Sequence, residues 1–368
     1  MKRNRLLMAY QSSQQLSSWL ISLAVMGVGC TKAHLSHNLL SPNNNDMSRK
    51  VHSFLIVFIL CLIGVFPFKT LAAEYPEFQS SHFRRPFAVL GDTQQTSKRE
   101  QVVLNRELNI RETQLILQYI GRENIDLLVH LGDAVFNGSS RKQWKKFDRL
   151  MKPIINMGIP VLLTLGNHEY LGANSQALKN VKKRFPQIKR KSWYKRIYLQ
   201  LGLLFLNTNK EDLGREMWSE QTQWFKDELE HMRTDESISG ILVFAHHPPF
   251  TNSEVTGDEK DVQEGFLKSF YESKKTLAFT TGHAHGYEHF FKKEKHFIVS
   301  AGGGGPRVKY LSSTQKRHQD LYRNEEGARP FNYLIIDQDG LRVTIAVKGF
   351  DKIDRRLRQI DRIEIPFP

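Results

Sequence analysis

Five short apolar runs, each ending in a side chain able to bind a metal or move a proton, constrain this chain more than any other feature. They are "FAVLGD" (residues 87–92), "IDLLVHLGD" (125–133), "VLLTLGN" (161–167), "GILVFAHH" (240–247) and "LAFTTGHAH" (277–285). Each is nearly continuous in apolar residues, as a strand buried on both faces must be. Each then delivers Asp, Asn or His, and four of the five do so directly after a glycine. Glycine permits close backbone approach and unusual dihedrals. Residues 98–121, 141–158 and 219–232 carry apolar side chains at helical spacing. Pro153 is expected to bend or end the second of these helices, and Ser219 to cap the third. Such alternation predicts an α/β fold with parallel strands. Open α/β sheets bind ligands at the carboxyl ends of their strands. The apolar run is therefore scaffold, and the polar tip faces the ligand.

Further strands are expected within 194–209, 295–305, 331–349 and 362–367, with "DQDG" (337–340) as a hairpin turn. No internal repeat or long linker interrupts residues 74–368, which read as one catalytic domain.

The tips are Asp92, Asp133, Asn167, His246, His283 and His285. Two carboxylates, an amide oxygen and three imidazoles suit divalent or trivalent transition metals. A carboxylate has two oxygens and about four lone-pair sites, so Asp133 is able to bridge two ions. His168, beside Asn167, carries an imidazole, a side chain suited to donating a proton.

Composition narrows the alternatives. The two cysteines, Cys30 and Cys61, lie before residue 74. A Cys nucleophile, a thiolate metal site and an internal disulfide are thus excluded from the remainder. The formal charge is +15, and residues 1–73 contribute seven basic side chains and one acidic one to it. The surplus reads as solvated surface, with attraction of anionic substrates as the sharper reading. The sequence contains no recognised nucleic-acid module, and nothing in it points to a specific protein partner.

Met47 opens a segment with basic Arg49 and Lys50, an apolar stretch at 54–68 and small residues at Ala72 and Ala73. This is the layout of a secretory signal peptide over 47–73. Its apolar stretch is shorter than the ~20 residues that span a bilayer. The protein is expected to be exported, periplasmic or secreted, and to meet a membrane only if that segment is left uncleaved. Residues 1–46 are read as an upstream extension without structure, ahead of the true start.

The motifs "GDTQ", "GDAVFNG", "GNHE", "AHHP" and "GHAH", in this order, resemble those of the calcineurin-like metallophosphoesterase superfamily, in its purple acid phosphatase branch. The resemblance covers roughly residues 85–305. It implies an α/β fold in four layers, a sandwich of two mixed β-sheets flanked by helices. It also implies a phosphoester hydrolase with two metal ions (Mn, Fe or Zn) and a metal-bound hydroxide. Carried over residue by residue, Asp92, Asp133 and His285 would hold the first ion. Asn167, His246 and His283 would hold the second, with Asp133 bridging, and His168 would protonate the leaving oxygen.

Two positions depart from the family pattern. Gln94 stands where many members have a histidine ligand, and offers an amide oxygen at most. Phe136 stands where purple acid phosphatases have an iron-binding tyrosine. Tyr170, His247 and Arg307 are candidates for substrate contact, and "GGGG" (302–305) for a phosphate-facing turn. The resulting expectation is a phosphomonoesterase acting on a small phosphorylated substrate. The alternatives are a phosphodiesterase acting on nucleotides or glycerophosphodiesters and, in a different class, a catalytically weak metal- or phosphate-binding protein.

Overall fold

The computed structural model describes residues 75–79, 83–322 and 329–368. These belong to one compact unit, Thr70–Pro368. The upstream extension and signal segment lie outside the described residues. No helix among the described residues is long and apolar enough to cross a membrane.

Two six-stranded mixed sheets form the body. In the first, β1 (Phe87–Leu90), β2 (Leu127–His130) and β3 (Val161–Leu163) run parallel. Antiparallel β10 (Phe331–Gln338), β11 (Arg342–Phe350) and β12 (Arg358–Pro366) extend it from β1 outward, giving the order β12-β11-β10-β1-β2-β3. The second sheet has a parallel centre of β5 (Leu201–Phe205), β6 (Gly240–Phe244), β7 (Thr276–Thr281) and β9 (Lys295–Ser300), edged by antiparallel β4 (Tyr194–Tyr198) and β8 (Tyr287–Lys292). Its order is β4-β5-β6-β7-β9-β8.

Alternation along the second sheet explains the layering. Leu203, Phe205, Leu242, Phe244, Ala278 and Ile298 join the core shared with the first sheet. Their neighbours Leu204, Ile241, Val243, Phe279, Phe297 and Val299 join a separate cluster with Phe225, Leu229, Phe266 and Phe270 of the outer helices. Phe87 meets Phe244 across the sandwich at 6.3 Å between ring centroids. Each such side chain, fully buried, contributes roughly 1.5–3 kcal/mol.

The helices are α1 (Lys98–Val103), α2 (Ile110–Ile120), α3 (Arg141–Asn156), α4 (Asn174–Arg184) and α5 (Lys210–Thr234). A sixth, α6 (residues 260–272), carries a π-helical turn at Gln263–Leu267. Three expectations need correction. The helix expected over 98–121 is two helices. Ser97 and Glu100 form a capping box that starts α1, but α1 buries no side chain, so no packing carries it beyond Val103. Of the two effects expected of Pro153, ending the helix does not occur: it lies inside α3, with Met151 and Ile154 on either side anchored in the core. Ser219 caps nothing: α5 starts at Lys210, with a break at Gly214, and Ser219 is interior. Strand β8 was not foreseen. It is joined to β9 by a tight turn with Lys293 at φ 49° and Glu294 at φ 61°, without the Asn or Gly that usually signals such turns.

Candidate metal centre

The parallel strands β1, β2 and β3 of one sheet and β6 and β7 of the other all end at the same place. Hydrogen bonds between their tips lock that convergence. Asp92 N–H donates to Gly132 O, Gly282 N–H to His246 O, and Gly303 N–H to Gly91 O. Four non-glycine residues at the tips hold left-handed backbone: Asp92 (φ 61°), Asp133 (φ 53°), His283 (φ 68°) and His285 (φ 43°). Each such residue costs of order 1–3 kcal/mol, so the surroundings must over-determine it. The glycines preceding the tips have a steric reason. A Cβ on Gly166 would lie 2.1 Å from Asp133 Oδ1, and one on Gly282 would lie 2.6 Å from Asp92 Oδ2.

The side chains gather into two donor groups: Asp92, Asp133 and His285, and His246, His247 and His283. Within each group the ligand atoms lie within 4.8 Å of one another. His285 Nε2 is 3.5 Å from Asp92 Oδ1. His246 Nε2 is 3.4 Å from Asp133 Oδ2 and 3.1 Å from His283 Nδ1, so Asp133 touches both groups. Asn167 Oδ1 and Gln94 Oε1 are buried amide oxygens with no hydrogen-bond partner. An unpaired buried acceptor costs about 1–3 kcal/mol, and a cation beside it would remove that cost. On this test the donor set fits metal ions.

Gln94 is placed more equivocally than its sequence position implied. Its Nε2 lies 3.1 Å from Asp133 Oδ2 and 3.0 Å from His285 Nε2. Its NH2 group therefore donates to lone pairs that a cation would take. Turned over, the amide would set its oxygen against the Asp133 carboxylate, which is repulsive unless a cation lies between them.

Backbone carbonyls fix the imidazoles. His246 Nδ1 donates to Leu131 O (2.7 Å), His285 Nδ1 to Pro306 O (2.8 Å) and His168 Nδ1 to Phe136 O (2.6 Å). Each ring consequently presents Nε2 to the cluster, the arrangement that orients metal-binding histidines. Burial opposes ionisation of Asp133, yet His246, His168 and His283 around it hold its carboxyl well below the usual range. Burial, reinforced by the Asp133 charge, pushes Asp92 well above that range. His246 is pushed up to about 9 by Asp133 in spite of its burial. Burial lowers His285 to about 4 and, with His246 alongside, His247 to about 3. The buried carboxylates draw positive charge, whether as a proton or as a metal ion.

One supporting residue was missed. Glu169, fully buried, accepts N–H from Asp133 (2.7 Å), Ala134 (2.9 Å) and Gly166 (2.9 Å), clamping two of the tips. The signal was present in "GNHE", where a carboxylate follows two ligand-type residues in a turn too short to expose it. Burial and the Asp133 charge push Glu169 up to about 8, against the pull of its amide donors.

The three substrate candidates separate. His247 sits in the second donor group, with Thr208 Oγ1 2.8 Å from its Nδ1. Tyr170 is buried, and its hydroxyl accepts from Asn207 Nδ2 at 2.7 Å. Arg307 forms a two-pronged pair with Glu107 and lies over the Phe331 ring. Tyr170 and Arg307 are thus engaged in packing. The glycine run turns its amides onto the first tip, with Gly303 N–H on Gly91 O and Gly305 N–H on Asp92 O. Phe136 packs its ring 5.0 Å from that of His168.

A family model described as calcineurin-like phosphoesterase matches residues 85–287. The chain is 28% identical over 188 residues to an Arabidopsis thaliana protein named probable inactive purple acid phosphatase 24. That match covers 45% of this chain, and the chain spans only 29% of that relative. Among solved structures, it is similar to purple acid phosphatase PPD1 from seeds of yellow lupin (Lupinus luteus), at 17% identity and a TM-score of 0.56, over 79% of this chain and 55% of that one. It is also similar to a dimetal phosphatase from Danio rerio, at 15% identity and a TM-score of 0.54, over 77% of this chain and 99% of that one. At these identities the structural likeness concerns the fold alone.

Proposed function

The chain belongs to the calcineurin-like phosphoesterase family, and on that premise we propose that it is an exported, metal-dependent phosphomonoesterase. The observation that carries this reading is the pair of donor groups meeting at Asp133, with His168 Nε2 3.8 Å from Asp133 Oδ2 at the partly exposed side of the cluster.

Asp92, Asp133 and His285 would hold one ion, and Asn167, His246 and His283 the other, with His247 alongside them in the second group and Asp133 shared. Two such ions would supply charge neutralisation for the phosphate and an activated water. The chain's own residues do the rest. Asp133, held by Glu169 and by its Oδ1 contact with His168 N–H (3.0 Å), fixes the spacing of the two groups. His168 keeps its Nδ1–H on Phe136 O, so a second proton taken up by the ring goes to Nε2, the nitrogen facing the cluster. That proton is available to a leaving alkoxide oxygen, the requirement of general acid catalysis. Export rests on the signal-like segment 47–73.

One observation favours a second reading, a weakly catalytic metal-binding protein: Gln94 NH2 occupies lone pairs of Asp133 and His285. Metal analysis of the purified protein, together with turnover of a panel of phosphomonoesters and phosphodiesters, decides between them. Two equivalents of metal with monoester turnover support the first reading. One equivalent without turnover supports the second, and turnover confined to diesters contradicts monoester specificity.

A further inference from the structure

Beside the metal centre lies a cleft of about 270 Å³, lined among others by Gln95, Lys98, Phe136, Gln143, Lys146 and Leu150. We propose that it binds a second anionic group, a phosphate or carboxylate carried on the leaving-group side of the substrate. This deepens the phosphomonoesterase reading and rests on it.

Position is the first argument. The cleft wall includes Thr93, which follows Asp92, and Ala134 to Phe136, which follow Asp133. Phe136 belongs to both regions: it lines the cleft, its carbonyl accepts His168 Nδ1–H, and its ring packs against the His168 ring. A leaving group protonated at His168 Nε2 thus lies across the imidazole ring from Phe136, a residue of the cleft wall.

Charge is the second argument. Lys98 and Lys146 are the charged side chains of the lining, and no carboxylate lines it. Among the described residues neither lysine forms an ion pair, whereas nearby Arg106 is paired with Glu100. The contact found for Lys146 Nζ is with a neutral amide oxygen, Gln95 Oε1, at 3.3 Å. Gln143 gives its oxygen to Asn137 N–H (2.9 Å), which leaves its NH2 as a further donor. Two unpaired ammonium groups above an apolar floor of Phe136, Phe147 and Leu150 complement a short carbon chain ending in an anion. The volume suits a small molecule rather than a polymer.

The test is calorimetric titration of the metal-loaded protein with butylphosphonate, 4-carboxybutylphosphonate and butane-1,4-diylbisphosphonate. Ion pairs exposed at a cleft rim are individually weak, so the added anion should tighten Kd by about tenfold, or ~1.4 kcal/mol. Lys98→Ala/Lys146→Ala should erase that gain. A gain for both anionic ligands assigns a general anion site, and a gain for the bisphosphonate alone assigns a phosphate site. Equal Kd values for all three ligands, or a gain that survives in the double variant, overturns the inference. Turnover of p-nitrophenyl phosphate by the unaltered protein reports separately on the underlying reading. If that ester is hydrolysed and no phosphonate binds, the second-anion site alone is refuted. If neither occurs, both readings fall.

Discussion

Replacing Glu169 with Gln should destabilise the protein and weaken its hold on metal together. The Glu169 carboxylate accepts three buried backbone N–H groups, with Oε2 taking Asp133 and Gly166 and Oε1 taking Ala134. Gln has one oxygen. Placed over Asp133 and Gly166, it leaves the Ala134 N–H facing an NH2 group. One unsatisfied buried donor costs about 1–3 kcal/mol, and above about pH 8, where Glu169 is charged, the two remaining bonds also lose the extra strength of a charged acceptor. The sum is roughly 2–4 kcal/mol. Domains somewhat smaller than this one lose about 2–4 °C in Tm per kcal/mol. Glu169→Gln should therefore melt roughly 4–16 °C lower in a calorimetric scan at about pH 9, and Glu169→Ala, which strands all three donors, lower still. Metal affinity measured well below the melting range should also drop, because Asp133 loses the clamp on its left-handed backbone. A Tm within about 1 °C of the parent, with unchanged affinity, would refute the clamp.

Asp133→Asn should deplete both metal sites at once, as read by metal analysis; full occupancy would mean that Asp133 is not shared. His168→Ala should slow alkyl phosphate hydrolysis by roughly 10²–10⁴-fold and affect p-nitrophenyl phosphate far less, with metal retained. Equal losses on both substrates with depleted metal would remove His168 from the proton-donor role. His247→Ala should lower affinity for the second ion, since its ring belongs to the His246–His283 group. Normal metal content with a raised KM would instead return His247 to substrate contact. Asp126 is held below the usual carboxylate range by Arg84 N–H, Arg85 N–H and the Arg85 guanidinium, which outweigh its burial. Its stabilisation is therefore full above about pH 4 and lost as pH falls through the lower folded value. The Tm gap between parent and Asp126→Asn should narrow below pH 4, and a constant gap down to pH 3 would contradict this.

Much of the fold is legible in the chain because burial on both faces demands an uninterrupted apolar run, and because a ligand-bearing tip must leave the sheet abruptly. Those two demands mark β1, β2, β3, β6 and β7 and name Asp92, Asp133, Asn167, His246, His283 and His285 without reference to any contact. Local signals failed where packing overrode them. Pro153 stays helical because its neighbours are anchored, and β8 turns at Lys293 and Glu294 without turn-forming residues. The roles of long side chains were beyond the sequence altogether. Tyr170 and Arg307 lie near the tips in sequence, yet Asn207 and Glu107, brought from elsewhere in the chain, engage them. Whether Gln94 offers an oxygen or a nitrogen to the centre depends on Asp133 and His285, which lie 39 and 191 residues away. Residue types and their alternation fix which groups can bind metal, because those are properties of a single strand and its tip. Which groups meet is decided only when the two sheets close on one another, because hydrogen bonds and charges act through distances that the order of residues does not contain.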